Sequence, residues 1–253
     1  MDFPWITLAP VVVINTILAI SLLYFLATRK GRPLPEVLQT RNTSRLLNLT
    51  LKHWWYWNVM PLAKLCLRLG LTPNVLTFFG FLTSILAAWL FAKGLFGFAG
   101  WVMLFSSTFD LIDGYVARLT GKASKSGAFF DSIMDRFSEG AIFLGLAFYF
   151  RDSWILAFVI AGLIGSMTVS YARARGEAVG VLCTKGSMQR PERVVYIGCS
   201  SIFEPMTSYL LQLWTGLVHP PYLVIGAVLL IGVMTIATSV YRMNYVMSEL
   251  DRQ

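Results

Sequence analysis

Seven stretches of the chain read as membrane spans, at about 3–28, 73–92, 97–119, 127–149, 153–175, 192–214 and 221–246. A bilayer core about 30 Å thick takes about 20 consecutive, mainly apolar residues in helical form. The fold class is therefore all-α integral membrane. Composition agrees: of 253 residues, 56% are hydrophobic and 13% charged, with a mean hydropathy of +0.64. Soluble domains carry about 25% charged residues.

The runs divide the chain into three parts. Residues 1–30 read as an N-terminal transmembrane anchor ending at Thr28-Arg29-Lys30. A signal peptide is the rival reading, but no basic region precedes the apolar run, which is also long for a signal peptide. Residues 31–70 carry basic residues and then Trp54, Trp55, Tyr56 and Trp57, with Lys64 and Arg68 among apolar neighbours. This pattern predicts an amphipathic helix in the membrane interface, where Trp and Tyr are favoured. Residues 71–253 hold the remaining six spans. In the last of these parts, Thr72-Pro73 predicts a helix start, with Thr72 as cap and Pro73 in the first helical position.

Charge gives the orientation. The net charge is +8, and the positives cluster in three places: the segment before residue 70, the turn with Arg118, Lys122 and Lys125, and the loop with Arg173, Arg175, Lys185, Arg190 and Arg193. The positive-inside rule puts these connections in the cytoplasm. The basicity thus reports topology and anionic substrates, and it does not call for nucleic acid. Cys66, Cys183 and Cys199 have neither disulfide nor metal spacing and read as small buried residues. His53 and His219 read as interfacial side chains.

Against this apolar background stand four aspartates: Asp110, Asp113, Asp131 and Asp135. An ionised carboxylate at the centre of a spanning helix costs about 2.5–3.5 kcal/mol on insertion scales, which makes such residues functional by default. Spacings of three and four put each pair on one helix face. On one straight helix, Asp110 and Asp131 would be about 30 Å apart at 1.5 Å per residue. The segment Gly121-Lys122-Ala123-Ser124-Lys125-Ser126-Gly127 supplies a turn, and folding back brings both pairs to the same depth. Oxygen-only ligands favour a hard ion, Mg²⁺ or Mn²⁺. Four carboxylates can hold two such ions roughly 3.5–4 Å apart. Neutralisation by Arg118 and Arg136 is the alternative, and it leaves acids over. Gly114 and Gly127 leave space beside the cluster for a ligand to approach backbone.

The segment Asp110–Asp135 reads D-x2-D-G-x2-A-R-x8-G-x3-D-x3-D, and it resembles the CDP-alcohol phosphotransferase family at every defined position. The resemblance implies a six-transmembrane-helix core over about residues 70–247, here with an interfacial helix and one extra N-terminal span. It implies a membrane phospholipid synthase that moves a phosphatidyl-type group from a CDP-linked lipid such as CDP-diacylglycerol to an alcohol and releases CMP. Asp110, Asp113 and Asp131 would ligate metal, and Asp135 would be a further ligand or the general base. Gly114, Ala117, Arg118 and Gly127 would shape the CDP pocket. The implied setting is a multi-pass homodimer in the cell inner membrane, with its active site facing the cytoplasm.

A second constellation follows: Tyr171-Ala172-Arg173-Ala174-Arg175-Gly176-Glu177, then Met188-Gln189-Arg190-Pro191-Glu192-Arg193. Arginine's fork suits bidentate phosphate binding, and Pro191 starts a helix whose positive end points at the same region. These segments resemble the subgroup that makes phosphatidylinositol phosphate or archaetidylinositol phosphate. On that resemblance Arg173, Arg175, Arg190 and Arg193, with Lys122 and Lys125, would hold the phosphate of an inositol phosphate acceptor. Glycerol 3-phosphate, inositol, serine and amino-alcohols remain open as acceptors. A divalent-cation or proton-coupled transporter would also place carboxylates in a membrane. It would need polar residues across the whole bilayer, whereas Ala141–Phe150 and Trp154–Ile164 are almost wholly apolar.

Overall fold

The computed structural model describes residues 5–29, 49–183 and 186–252, with side chains over 9–28, 50–183 and 186–252. Lys30 and most of the basic segment after it, and Lys185, lie outside the described residues. Eight helices are found among the described residues: α1 (Trp5–Arg29), α2 (Leu49–Arg68), α3 (Pro73–Ala92), α4 (Phe96–Leu119), α5 (Lys125–Tyr149), α6 (Leu156–Ala178), α7 (Arg190–Thr215) and α8 (Tyr222–Leu250). By length and composition α1 (over Ala9–Thr28), α3, α6 and α8 can each cross a membrane. The other three expected spans, α4, α5 and α7, are 24, 25 and 26 residues long. They fall short on apolarity because each carries acidic and basic residues, many of which turn toward the other helices.

The last six helices close into a ring. Going round it, α3 packs on α4, α4 on α7, α7 on α8, α8 on α6, α6 on α5, and α5 back on α3. Small residues let these backbones approach. A side chain at Gly145 of α5 would run into the Ala88 carbonyl of α3, one at Gly100 of α4 into the Gly198 carbonyl of α7, and one at Gly165 of α6 into Thr235 of α8. In lipid, where apolar burial drives little helix association, such close packing holds helices together. The ring encloses Ala87, Phe91, Met103, Ile142, Phe143, Leu146, Ile197, Val228 and Ile231. Outside it, α2 packs on α4, and α1 packs on α4 and α7.

The helix ends follow local rules, with two corrections. Thr72 occupies the cap position of α3 in extended geometry and Pro73 is the first helical residue, but the Thr72 hydroxyl makes no cap bond. The turn between the aspartate pairs is shorter than expected. Ser124 accepts a hydrogen bond from the Gly127 N–H at 3.1 Å, so α5 already starts at Lys125. Gly127 is thus a first-turn helical residue. At the other side of the turn α4 ends in a Schellman motif, with Lys122 N–H on the Ala117 carbonyl at 3.0 Å and Gly121 at φ 66°. That left-handed position is open to glycine at little strain. Cys66 and Cys183 are buried as expected, but Cys199 is exposed on the flank of α7.

The opposite end of the ring has its own polar lock. Glu204 of α7, only 3% exposed, accepts from the Leu223 and Val224 N–H groups of α8 at 2.8 and 3.2 Å and from the Ser208 hydroxyl at 2.7 Å. It caps a helix that has no side-chain cap of its own. Glu204→Ala should leave those buried donors unpaired and cost about 1–3 kcal/mol. The check is a thermal melt in detergent, where an unchanged midpoint would contradict this role.

Candidate active site

The site lies at the end of the ring where α4 hands over to α5. Asp110 and Asp113 occupy the last turns of α4, and Asp131 and Asp135 the first turns of α5. The turn at Gly121 brings them together: ligand oxygens of Asp110, Asp113 and Asp131 all lie within 4.8 Å of one another. Asp113 is the deepest, 6% exposed, and one of its oxygens is fixed by the Thr77 hydroxyl of α3, which donates to Oδ2 at 2.6 Å. Three carboxylates so close repel by about 3–4 kcal/mol per pair at an effective dielectric of about 20. The set contains no sulfur or imidazole among the described residues, and clustered oxygens with excess negative charge fit a hard divalent cation.

Asp135 lies beside that trio and is paired with arginines. Its Oδ1 meets Arg190 Nη1 of α7 at 2.6 Å, and its Oδ2 lies 3.6 Å from Arg136 Nη1. One turn deeper in the ring, Arg193 of α7 forks onto Glu139 of α5, Nε to Oε1 at 2.5 Å and Nη2 to Oε2 at 2.9 Å, while Nη1 donates to the Met188 carbonyl at 2.7 Å. The two ion pairs therefore bridge the middle of the ring between α5 and α7. Glu139, Arg190 and Arg193 line a cavity of about 30 Å³ together with Ser84, Ser106 and Ser138, enough for one or two waters.

Arg193 is 1% exposed, and its fork is engaged by Glu139. Glu139 continues the aspartate face of α5 by one more turn after Asp135. That i+4 spacing is visible in the sequence, and it is the signal that could have found Glu139. Arg173 lies at the rim of α6, where its Nε meets Glu177 at 2.9 Å. Arg175, Lys122 and Lys125 are exposed. Sequence reasoning also missed Arg242, buried in α8 and donating to the Val169 carbonyl at 2.7 Å. Thr77 was missed as well, because a lone hydroxyl in an apolar run gives no signal. Gly114 lies under the Arg118 guanidinium, about 3.6 Å from where a side chain would begin, and Gly127 faces Asn74 of α3. Ala117 is half-buried and Arg118 exposed.

The model of the family described as CDP-alcohol phosphatidyltransferase matches residues 70–235, from the loop before α3 well into α8. The chain belongs to this family. It is accordingly a transferase, a CDP-alcohol phosphatidyltransferase. The chain is 35% identical over 191 residues to a phosphatidylinositol phosphate synthase of Mycobacterium tuberculosis, covering 74% of this chain and 84% of that one. It is 39% identical over 143 residues to an archaetidylinositol phosphate synthase of Pyrococcus horikoshii, covering 56% and 75%. Among solved structures, the M. tuberculosis phosphatidylinositol phosphate synthase with CDP-DAG bound is similar at a TM-score of 0.64 and 31% identity, covering 74% of this chain and 92% of that one. The same synthase in complex with manganese and citrate gives a TM-score of 0.65. In this CDP-alcohol phosphatidyltransferase the matched region holds all four aspartates and both bridging ion pairs, whereas α1 and α2 lie before it.

Breaking one side of the deeper bridge should be costly. Glu139→Ala leaves the buried Arg193 charge unpaired and should destabilise the protein by about 3–5 kcal/mol. The pair Glu139→Leu with Arg193→Met should restore most of that loss, because apolar replacements of similar volume are often neutral. Thermal unfolding of the three proteins checks this, and a single variant as stable as the parent would rule the bridge out.

Proposed function

We propose that the protein transfers a phosphatidyl group from CDP-DAG to an inositol phosphate and releases CMP. The observation that carries this reading is the convergence of three acids from α4 and α5 on one side of a cleft whose opposite wall, α7, presents arginine. A charged donor diphosphate needs the first, and a phosphorylated acceptor needs cationic groups near it. The names of the relatives support the same choice of donor and acceptor.

In this reading Asp110, Asp113 and Asp131 hold the divalent cation, Mg²⁺ or Mn²⁺, with Thr77 fixing the Asp113 carboxylate. A cation held there would supply the positive charge that offsets the diphosphate and the departing CMP. Gly114 and Gly127 leave room for the CDP moiety, with Ala117 beside them and Arg118 above. The arginine face of the cleft, Arg190 with rim residues Arg173 and Arg175, and Lys122 and Lys125 at the mouth, draws the acceptor phosphate. The acceptor hydroxyl oxygen attacks the lipid-bearing phosphorus in line; the new P–O bond forms as the bond to CMP breaks. Asp135 accepts the hydroxyl proton, its carboxylate oriented by Arg190 and Arg136. Asp135 can also complete a second cation site beside the trio.

We place all six ring helices across the membrane, with the acid end facing the cytoplasm of an inner membrane. Support comes from Arg118, Lys122, Lys125, Arg173 and Arg175, which gather at that end. On the same grounds α2, with Trp54, Trp55 and Trp57, lies along the interface, and the working unit is a homodimer as the family resemblance implies.

The test is CMP release from CDP-DAG by purified protein with Mn²⁺, offering inositol phosphate, inositol, glycerol 3-phosphate and serine one at a time. Turnover with inositol phosphate well above the others is expected. Release confined to another alcohol would overturn the acceptor, and no release with any would overturn the donor.

A further inference from the structure

The family match begins at residue 70, so nothing in it accounts for α1. Yet α1 is tied to the rest of the chain by specific contacts. At one end Val11, buried, fills the notch left by Gly97 of α4 beside Pro205 of α7. Ten residues on, a closed polar knot joins α1 to α2. The Trp54 indole N–H donates to the Ser21 hydroxyl at 3.2 Å, and Ser21 donates to Asn58 Oδ1 at 2.8 Å. The Asn58 amide returns to the Trp54 carbonyl at 3.0 Å. One turn further, Phe25 is 1% exposed, its ring 5.1 Å from that of His53 and 5.9 Å from that of Trp57. Polar side chains hydrogen-bonded between helices, and closely packed rings, are what joins helices in a membrane.

The other face of α2 bears on the acids. Val59, Ala63 and Cys66 form one buried cluster with Leu76 of α3 and with Ile112 and Val116 of α4. Tyr56 sets its ring edge against Tyr115 at 6.3 Å. Ile112 sits between Asp110 and Asp113 in the chain and is fully buried against this cluster. The path is short: α1 grips α2, and α2 presses on the turn of α4 that points two carboxylates inward.

We propose that α1 is a brace for the acid-bearing turn of α4, with Ser21 and Phe25 as positioning residues for the transfer reaction. This rests on the reading above that Asp110 and Asp113 hold a divalent cation. An apolar anchor alone needs no serine at a helix crossing and no aromatic side chain sealed from lipid. Because α1 is fastened both to the far end of α4 at Gly97 and to its acid end through α2, it fixes the pitch of α4 relative to α5.

The test uses the full chain in lipid nanodiscs, comparing the parent with Phe25→Ala and with the milder Ser21→Ala, which keeps α1 apolar. Two readouts are taken: backbone hydrogen–deuterium exchange without metal, and the Mn²⁺ concentration for half-maximal CMP release. The brace predicts faster exchange over residues 109–119 with residues 222–250 unchanged. It also predicts a Mn²⁺ requirement raised about tenfold in Phe25→Ala, the low end of the effect of outer supports on metal affinity. The acceptor KM should stay as in the parent, and Ser21→Thr should restore parental behaviour. Unchanged exchange and Mn²⁺ requirement in both variants would overturn the brace alone. Loosening spread evenly over all helices would overturn it too, since α1 would then only hold the fold. A parent indifferent to divalent cations would overturn both the brace and the metal reading beneath it.

Discussion

Like charge held in an apolar ring is the constraint on which this structure turns. Asp110, Asp113 and Asp131 sit with oxygens within 4.8 Å of one another, a geometry that costs free energy until a cation enters. The surrounding protein keeps them there by fixed connections: a Schellman turn at Gly121, a Ser124 cap on α5, and a Thr77 hydroxyl on Asp113. The folding of the ring supplies the energy that holds the acids together, and a bound divalent cation would relieve it. Coupling of this kind makes metal affinity a property of helix packing as much as of the ligands themselves.

The ring answers the same constraint on its far wall. Arg190 and Arg193 of α7 face Asp135 and Glu139 of α5 across the interior, so helices that share little backbone contact are linked by charge. The two bridges differ in depth and hence in role. The inner one is sealed and sets the spacing of α5 and α7. The outer one joins a carboxylate beside the acid trio to an arginine at 24% side-chain exposure. A polar lock at the opposite end, Glu204 on the start of α8, keeps the ring closed where it has no ligand to hold it.

Much of this was legible in the sequence because it follows from length and period. The apolar runs located the helices to within a few residues, and the three-residue spacing put Asp110 with Asp113 on one face. The turn was legible from Gly121, but Ser124 shortened it, since a cap decides a helix start more sharply than a glycine does. A charge near a helix start, such as Arg193, looks the same whether its partner is solvent, substrate or another helix. Only the fold shows that Glu139 reaches it. Thr77 and the Ser21–Asn58 knot are single polar residues in apolar runs, and their partners lie 36 and 37 residues away. Local pattern cannot supply that distance.

The most direct test is equilibrium Mn²⁺ binding by the purified protein, followed by loss of the free-ion spectroscopic signal. If the acid trio is one cation site, Asp110→Asn, Asp113→Asn and Asp131→Asn should each weaken binding at least about tenfold, and Asp152→Asn, far along the chain in the α5–α6 loop, should not. Binding retained in Asp113→Asn, or lost equally in Asp152→Asn, would contradict a single site built from these three carboxylates.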